Sequence, residues 1–318
     1  MDLPFHKALV TGGAGFIGSH LVDALVAAKC NVTVLDNLST GRLLNLAHLK
    51  DRISFIEADI RDSAAVMNAA VGCDVIFHEA AVVSVPQTVQ EPVVSAMVND
   101  IGTLTVLEAA RKHHVKRTVL ASSCAVYGDA PEMPKLETMP AKPLSPYAVQ
   151  KRTGELNARL YHELFGVETV CLRYFNVYGP RQDPSSPYSG VISIFLTRAA
   201  ERKKPVIYGD GTQSRDFVFV KDVVKANLLA ASAKGAGGAW FNIGTGHSIQ
   251  VNQLWDRICR LSGIQIEAEH GPSRPGDIRE SLADITQAGK VLGFSPEYDF
   301  DRGLKLTFEW YNDGASPA

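Results

Sequence analysis

The sequence lacks a strong charge of either sign, a paired cysteine pattern and a long uninterrupted apolar run. Its 32 Lys and Arg residues nearly balance 34 Asp and Glu residues, for a net charge of −2, so we expect no nucleic-acid-binding surface. Its five scattered cysteines form no Cys-x-x-Cys pair, which indicates reduced thiols in a cytoplasmic protein and no metal site. We also expect no membrane-spanning segment and no signal peptide.

Strand-like and helix-like segments alternate along the chain up to Arg173. This alternation predicts an α/β fold, a doubly wound parallel Rossmann sheet with a smaller C-terminal substrate-binding lobe. We place the Rossmann domain at residues 1–175 with 215–245, and the lobe at residues 176–214 with 246–318. Within this scheme we expect Phe217–Val220 to rejoin the first sheet.

A glycine-rich turn follows the first predicted strand. Lys7–Thr11 is apolar enough to be buried, and Gly12, Gly15 and Gly18 lie between it and an apolar-periodic helix. The first glycine permits a tight turn, the second lets a pyrophosphate approach the backbone, and the third allows close packing of helix and strand. The pattern therefore predicts a dinucleotide site at the helix N-terminus.

The second predicted strand, Asn31–Leu35, is followed directly by Asp36. An acid at this spacing accepts hydrogen bonds from the adenosine ribose of a dinucleotide. Its carboxylate repels a 2′-phosphate, and no base occurs before Arg42. The sequence therefore favours NAD over NADP as the cofactor.

Tyr147 and Lys151 lie four residues apart in a predicted helix, which Ser145 can cap and Pro146 can begin. Residues four apart share a helix face, so the ammonium group should lie beside the phenol. A nearby cation lowers the pKa of a phenol. We therefore expect a lowered pKa for Tyr147 and a role for it as a general base.

With Asp59-Ile60, His78-Glu79-Ala80-Ala81 and Ser123, these motifs make the chain resemble the extended short-chain dehydrogenase/reductase family. The likeness runs nearly end to end and is strongest to the UDP-hexose and UDP-N-acetylhexosamine 4-epimerases. The segments most similar to those of nucleotide-sugar epimerases are Arg173–Pro180, Gly209–Asp216, Asn242–Gly244 and Arg274–Asp277.

The resemblance implies a catalytic set in which Ser123 bonds the sugar 4-oxygen, Tyr147 is the base and Lys151 holds the nicotinamide ribose. The residues that it implies for NAD are Gly12, Gly15, Phe16, Ile17, Gly18, Asp36, Asn37, Asp59, Ile60, Ala80, Tyr147 and Lys151. The residues that it implies for a UDP-sugar substrate are Ser84, Ser122, Ser123, Asn176, Arg215, Arg274, Asp277 and Ser281. Glu79 stands where relatives usually carry an apolar residue, and we expect its side chain to point away from the cofactor.

The activity implied by the resemblance is NAD-dependent inversion at C4 of a UDP-sugar through a 4-keto intermediate. Dehydration is disfavoured because Cys124 and Ala125 replace the acid–base carboxyls of 4,6-dehydratases. A UDP-glucuronate 4-epimerase or another 4-keto-forming enzyme remains an alternative. A further alternative, of a different class, is a non-catalytic NAD-binding module.

Two finer expectations also follow from the resemblance. Ser281 occupies the position at which a bulky Tyr restricts relatives to UDP-glucose and UDP-galactose. Its small side chain favours UDP-GlcNAc and UDP-GalNAc, with some activity on the plain hexoses, although a small residue also occurs there in uronate enzymes. The family further implies a homodimer, built on helices at approximately Val93–His113 and Pro146–Phe165.

Overall fold

Parallel strands form the centre of the computed structural model, which describes residues 3–183, 190–273 and 279–312. Within these ranges, the strands are β1 (Lys7–Thr11), β2 (Asn31–Asp36), β3 (Ile53–Glu57), β4 (Val75–His78), β5 (Arg117–Ser123), β6 (Thr169–Tyr174), β7 (Asn176–Tyr178), β8 (Val206–Tyr208), β9 (Ser214–Arg215), β10 (Phe217–Phe219), β11 (Ala239–Ile243), β12 (Ile249–Gln250) and β13 (Glu269–Gly271). Among the described residues, one seven-stranded sheet has the order β11-β6-β5-β4-β1-β2-β3. All its pairs are parallel, which confirms the predicted doubly wound parallel sheet.

Helices cover both faces of this sheet. In the part of the chain that the structure describes, they are α1 (Phe16–Ala27), α2 (Ser63–Ala70), α3 (Val85–Gln90), α4 (Pro92–Ala96), α5 (Thr103–Lys112), α6 (Pro146–Phe165), α7 (Val191–Ala200), α8 (Val220–Ser232), α9 (Val251–Ser262) and α10 (Phe300–Asn312). Val10 of β1 packs with α1 and α8, whereas its neighbour Leu9 packs with α2 and α5. Successive strand residues point to opposite faces, so a strand buried on both faces is a continuous apolar run.

The strand order reverses between β1 and β4. From β1 the chain proceeds outward to β2 and β3, and from β4 it proceeds outward to β5, β6 and β11. A crevice opens at such a reversal, beyond the carboxyl ends of the strands. The turn after β1 and the ends of β4 and β5 therefore define where a ligand can lie.

A second apolar core lies outside the large sheet. It joins α7, α9 and α10 through the buried side chains of Phe195, Trp255 and Leu304. Beside it, the parallel pair β8 and β13 forms a separate small sheet. The division into domains at residues 175, 215 and 245 stays a prediction.

The expectation that Phe217–Val220 rejoins the first sheet is wrong. β11 takes the edge of β6 that β5 leaves open, with Ala239 opposite Val170 and Ile243 opposite Tyr174. β10 instead pairs with β7, which follows β6 after a one-residue break at Phe175. An edge strand can accept only one further neighbour, so the longer β11 excludes β10.

A π-helical turn, Met97–Gly102, joins α4 to α5 and makes one helical run of 21 residues from Pro92 to Lys112. By length and composition this run could cross a membrane, with a mean hydropathy of 1.3, although 44% of its most apolar window is buried in the protein. The expectation that no segment has this length and composition is therefore wrong. A packed helix of a water-soluble protein has the same properties, so the observation is weak evidence for a membrane.

Candidate active site

The turn after β1 is shaped by the absence of side chains. Gly12 has a φ of +70°, and a Cβ there would lie 2.6 Å from the Ala80 nitrogen. A Cβ on Gly18 would lie 2.2 Å from the Gly12 oxygen. Because Gly15 is the N-cap of α1, no side chain competes for the first N–H groups of that helix. The turn and the helix N-terminus thus fit the diphosphate of a dinucleotide.

Asp36 ends β2 beside this turn and is only 7% exposed. One carboxylate oxygen accepts the Ala14 N–H at 2.9 Å, and the other accepts the Leu38 N–H at 2.8 Å. Desolvation raises the pKa of Asp36 above its ordinary value, while these two donors oppose that effect. The carboxylate is therefore held rigidly at the rim of the glycine turn, where an adenosine ribose fits.

Asn37 and Asp59 meet at the same edge of the sheet. The Asn37 amide donates to Asp59 at 2.8 Å, and Arg61 also donates to Asp59. The Arg61 hydrogen bond lowers the pKa of Asp59 to about 2. The side chain of Ile60 instead packs into the core and is 3% exposed, so only its backbone can face a ligand.

The other predicted cofactor residues flank the turn. Phe16 and Ile17 begin α1 and pack against the second apolar core. Ala80 lies two residues beyond the end of strand β4, with its nitrogen 3.5 Å from the Thr11 hydroxyl. The structure therefore brings all three beside the glycine turn.

Ser123, Tyr147 and Lys151 converge at the end of β5. Ser145 caps α6 by accepting the Ala148 N–H, which places Tyr147 in the first helical turn. The Tyr147 phenol lies beside the Ser123 hydroxyl. Lys151 donates to the Ala121 carbonyl at 2.8 Å, and its nitrogen lies 5.8 Å from the centre of the Tyr147 ring.

Burial dominates the titration of this group. Desolvation raises the pKa of Tyr147 to about 12, although the hydrogen bond from Ser123 opposes the rise. Desolvation also lowers the pKa of Lys151 to about 8. The expectation of a lowered pKa for Tyr147 is therefore wrong, because loss of hydration raises the pKa of this buried phenol.

Ser122 is directed away from the cleft. Its hydroxyl donates to Glu155 at 2.6 Å, inside a buried network in which Arg173 donates to both oxygens of the same carboxylate. Adjacent strand residues point to opposite faces, so Ser123 faces the cleft and Ser122 does not. The prediction that Ser122 binds the substrate through its side chain is therefore wrong.

A cavity of about 270 Å³ lies on the side of the second core, lined by residues of β7, α7 and β8 among others. Asn176 and Arg215, two of the predicted substrate residues, line it. Tyr208 and Gln213 also line it, and Gln213 donates to the Tyr208 carbonyl at 2.8 Å. No spacing in the sequence identifies these two residues, because they meet only when the segments around β8 and β9 pack together.

Ser281 lies beside Cys124, the residue that follows Ser123. It is 8% exposed. Asp216 fixes this segment by accepting the Ala283 N–H at 3.1 Å together with donors from Thr245. The sequence gives no direct sign of the Cys124 contact, because the two segments lie far apart along the chain.

Three predicted substrate residues remain. The Ser84 hydroxyl accepts the Gln87 N–H at 3.2 Å and caps α3. Arg274 and Asp277 lie outside the described residues.

Comparison with known proteins gives the family. Residues 8–244 match the model of the NAD dependent epimerase/dehydratase family, and the chain belongs to that family. A UDP-glucose 4-epimerase from Mycolicibacterium smegmatis is 42% identical over 96% of this chain and 99% of its own length.

Solved structures that are similar to this chain belong to epimerases as well. The UDP-N-acetylglucosamine 4-epimerase from Methanobrevibacter ruminantium, solved with UDP-N-acetylmuramic acid, is 40% identical with a TM-score of 0.94, covering 99% of this chain and 100% of that one. The UDP-glucose 4-epimerase from Thermus thermophilus, solved with NAD, is 36% identical with a TM-score of 0.88. The match covers 96% of this chain and 99% of that one. The predicted enzyme class, an NAD-dependent UDP-sugar 4-epimerase, and NAD as its cofactor are confirmed, whereas the sugar is not distinguished.

Proposed function

We propose that this chain interconverts UDP-GlcNAc and UDP-GalNAc, with some activity on UDP-glucose and UDP-galactose. The observation that carries the proposal is the small, almost fully buried Ser281, which contacts Cys124 next to Ser123. A serine there leaves volume beside the sugar for an acetamido group. Its hydroxyl can also form a hydrogen bond with that group.

In the proposed reaction, Ser123 bonds the sugar 4-oxygen and Tyr147 accepts its proton. NAD⁺ supplies the acceptor, and later the donor, of the C4 hydride. Lys151 is fixed by the Ala121 carbonyl and provides a positive charge near the phenol. The 4-keto sugar then turns about its diphosphate and presents its other face, so that C4 is inverted and no net oxidation occurs.

The diphosphate and uridine are proposed to occupy the cavity lined by Asn176 and Arg215. A guanidinium group suits this role because its planar fork matches phosphate oxygens. Arg274 and Asp277 are proposed to complete the site on the basis of their motif alone.

A UDP-glucuronate 4-epimerase is the second candidate, since Ser281 also leaves space for a uronate carboxylate. Dehydration is not supported, because Cys124 and Ala125 stand where 4,6-dehydratases carry their acid–base carboxyls. A non-catalytic NAD-binding module is disfavoured by the convergence of Ser123, Tyr147 and Lys151 at the end of β5.

The test is incubation of the purified protein with UDP-GlcNAc, UDP-glucose or UDP-glucuronate, followed by separation of the 4-epimers. Ser281→Tyr should abolish conversion of UDP-GlcNAc and spare UDP-glucose, because bulk excludes the acetamido group. Ser281→Ala keeps the space and should retain both activities. The N-acetyl proposal fails if the wild type converts only the plain hexose, or if the Tyr variant handles both sugars unchanged.

The remaining outcomes of this panel separate the alternatives. Conversion of UDP-glucuronate alone favours the uronate enzyme. No conversion of any sugar, with no reduced-nicotinamide absorbance after its addition, favours the non-catalytic module.

We further propose a cytoplasmic homodimer. Leu156, Leu160 and Leu164 recur every fourth residue on α6 and are 45%, 48% and 69% exposed. Val93 and Met97 of the neighbouring helical run are also exposed, at 74% and 44%. A second copy can cover both stripes, and residues four apart form one continuous helix face. Leu160→Glu should then give a monomer by light scattering, and an unchanged mass for this variant or a monomeric wild type would contradict the proposal.

A further inference from the structure

Glu79 lies between the glycine turn and the catalytic group. It directly follows β4, and its N–H donates to the Thr11 carbonyl at 3.1 Å. Its backbone touches the turn itself, because a Cβ on Gly12 would lie 3.0 Å from the Glu79 carbonyl carbon. A dinucleotide that extends from the turn to Tyr147 must therefore pass over this residue.

A buried chain of hydrogen bonds fixes the Glu79 carboxyl. Its Oε1 accepts the Tyr174 hydroxyl at 2.7 Å, and that hydroxyl accepts the Asn227 amide at 2.7 Å. Asn227 is fully buried in α8, and Tyr174 lies opposite Ser123 in the pairing of β6 with β5. The carboxyl is thus anchored at the carboxyl edge of the sheet.

The charge of Glu79 acts on the catalytic residues. Desolvation raises the pKa of Glu79 to about 7, while the Tyr174 hydrogen bond and the charge of Lys151 oppose the rise. In turn, the negative charge of Glu79 raises the pKa values of both Lys151 and Tyr147 relative to the same sites without it. The carboxyl is therefore an ionisable group that acts on Tyr147 and Lys151, and a role toward the cofactor departs from the expectation that this side chain points away from it.

We propose that Glu79 is a positioning residue that, through its Tyr174-anchored carboxylate, favours the cationic nicotinamide of NAD⁺ over the neutral ring of NADH. The proposal rests on the proposed function for its role in turnover. In that reaction the sugar gives a hydride from C4 to the ring and its O4 proton to Tyr147. The same hydride and proton then return to the ketone, so that a preference for NAD⁺ shortens the life of the 4-keto sugar.

The test measures cofactor preference without any sugar. The purified protein is incubated with equal amounts of NAD⁺ and NADH until exchange is complete, and the bound forms are quantified after denaturation. Glu79→Gln should lower the bound NAD⁺:NADH ratio by at least about tenfold, since a unit charge within about 10 Å has this effect at a protein-like dielectric constant. For a two-electron couple, tenfold corresponds to about 30 mV.

Two further variants make the result specific. Glu267→Gln neutralises an exposed carboxylate in the second lobe and should leave the ratio unchanged. Tyr174→Phe keeps the carboxylate but removes its donor, so the ratio should shift in the same direction as in Glu79→Gln, by a smaller factor. This variant also tests the proposal if the Gln variant does not fold. An unchanged ratio in folded Glu79→Gln, or in Tyr174→Phe if the former is unfolded, would overturn it.

A second readout uses the substrate. If the proposed epimerase function holds, addition of UDP-GlcNAc to folded Glu79→Gln should leave a larger steady fraction of reduced cofactor than in the wild type. If the epimerase function fails, this signal is lost in both proteins, while the exchange experiment still decides the role of Glu79.

Discussion

Replacing Tyr147 with Phe removes one oxygen atom from the cleft and leaves the aromatic ring beside Lys151. The lost group is the proposed base, and general acid–base catalysis contributes about 10²–10⁴-fold. Turnover should therefore fall by at least about 10²-fold, which raises the barrier by about 3 kcal/mol or more. The free energy of unfolding should change by only about 1 kcal/mol, because the ring is kept and only the hydroxyl beside Ser123 is lost.

The assay is separation of epimers after incubation with UDP-GlcNAc and UDP-glucose, with urea unfolding and bound NAD measured on the same preparation. Tyr161→Phe is a matched control. It removes a hydroxyl that lies outside the cleft and donates a hydrogen bond of 2.7 Å to Glu108. The control should keep nearly full turnover. A Tyr147→Phe variant that turns over within tenfold of wild type, with NAD bound, would show that the phenol is not the base.

Two further substitutions test the cofactor site and the buried network. Asp36→Ala should weaken NAD binding and permit binding of NADP, because the carboxylate that repels a 2′-phosphate is gone; unchanged affinities for both cofactors would exclude this role. Glu155→Gln should lower the free energy of unfolding by about 3–5 kcal/mol, because it leaves Arg173 buried without a charged partner. Its control, Glu163→Gln, breaks an exposed ion pair with Arg159 on the same helix and should cost at most about 1 kcal/mol in urea unfolding.

Features determined within a short stretch of chain could be predicted from the sequence. The strand Lys7–Thr11 and the helix Pro146–Phe165 have their predicted bounds, because apolar runs and end signals are local. Ser145 and Pro146 mark the start of that helix, and Gly166 in a left-handed conformation ends it. The same locality explains why the glycine turn and the Tyr147/Lys151 spacing identify a cofactor site.

Features that depend on packing could not be predicted in this way. The phenol pKa of Tyr147 depends on desolvation by segments that are distant in sequence. The direction of Ser122 depends on the position of Glu155 across the sheet. The pairing of Phe217–Phe219 depends on which strand takes the last open edge of the sheet, and no single segment contains that information.

The contact between Gly12 and the residues that follow β4 involves backbone atoms on both sides. The shape of the backbone around the glycine turn therefore does not depend on which side chain occupies position 79. Shape and charge are consequently separable at this position. If the proposed role of Glu79 holds, a substitution at position 79 changes the preference for NAD⁺ over NADH and leaves the backbone that surrounds the glycine turn as it is.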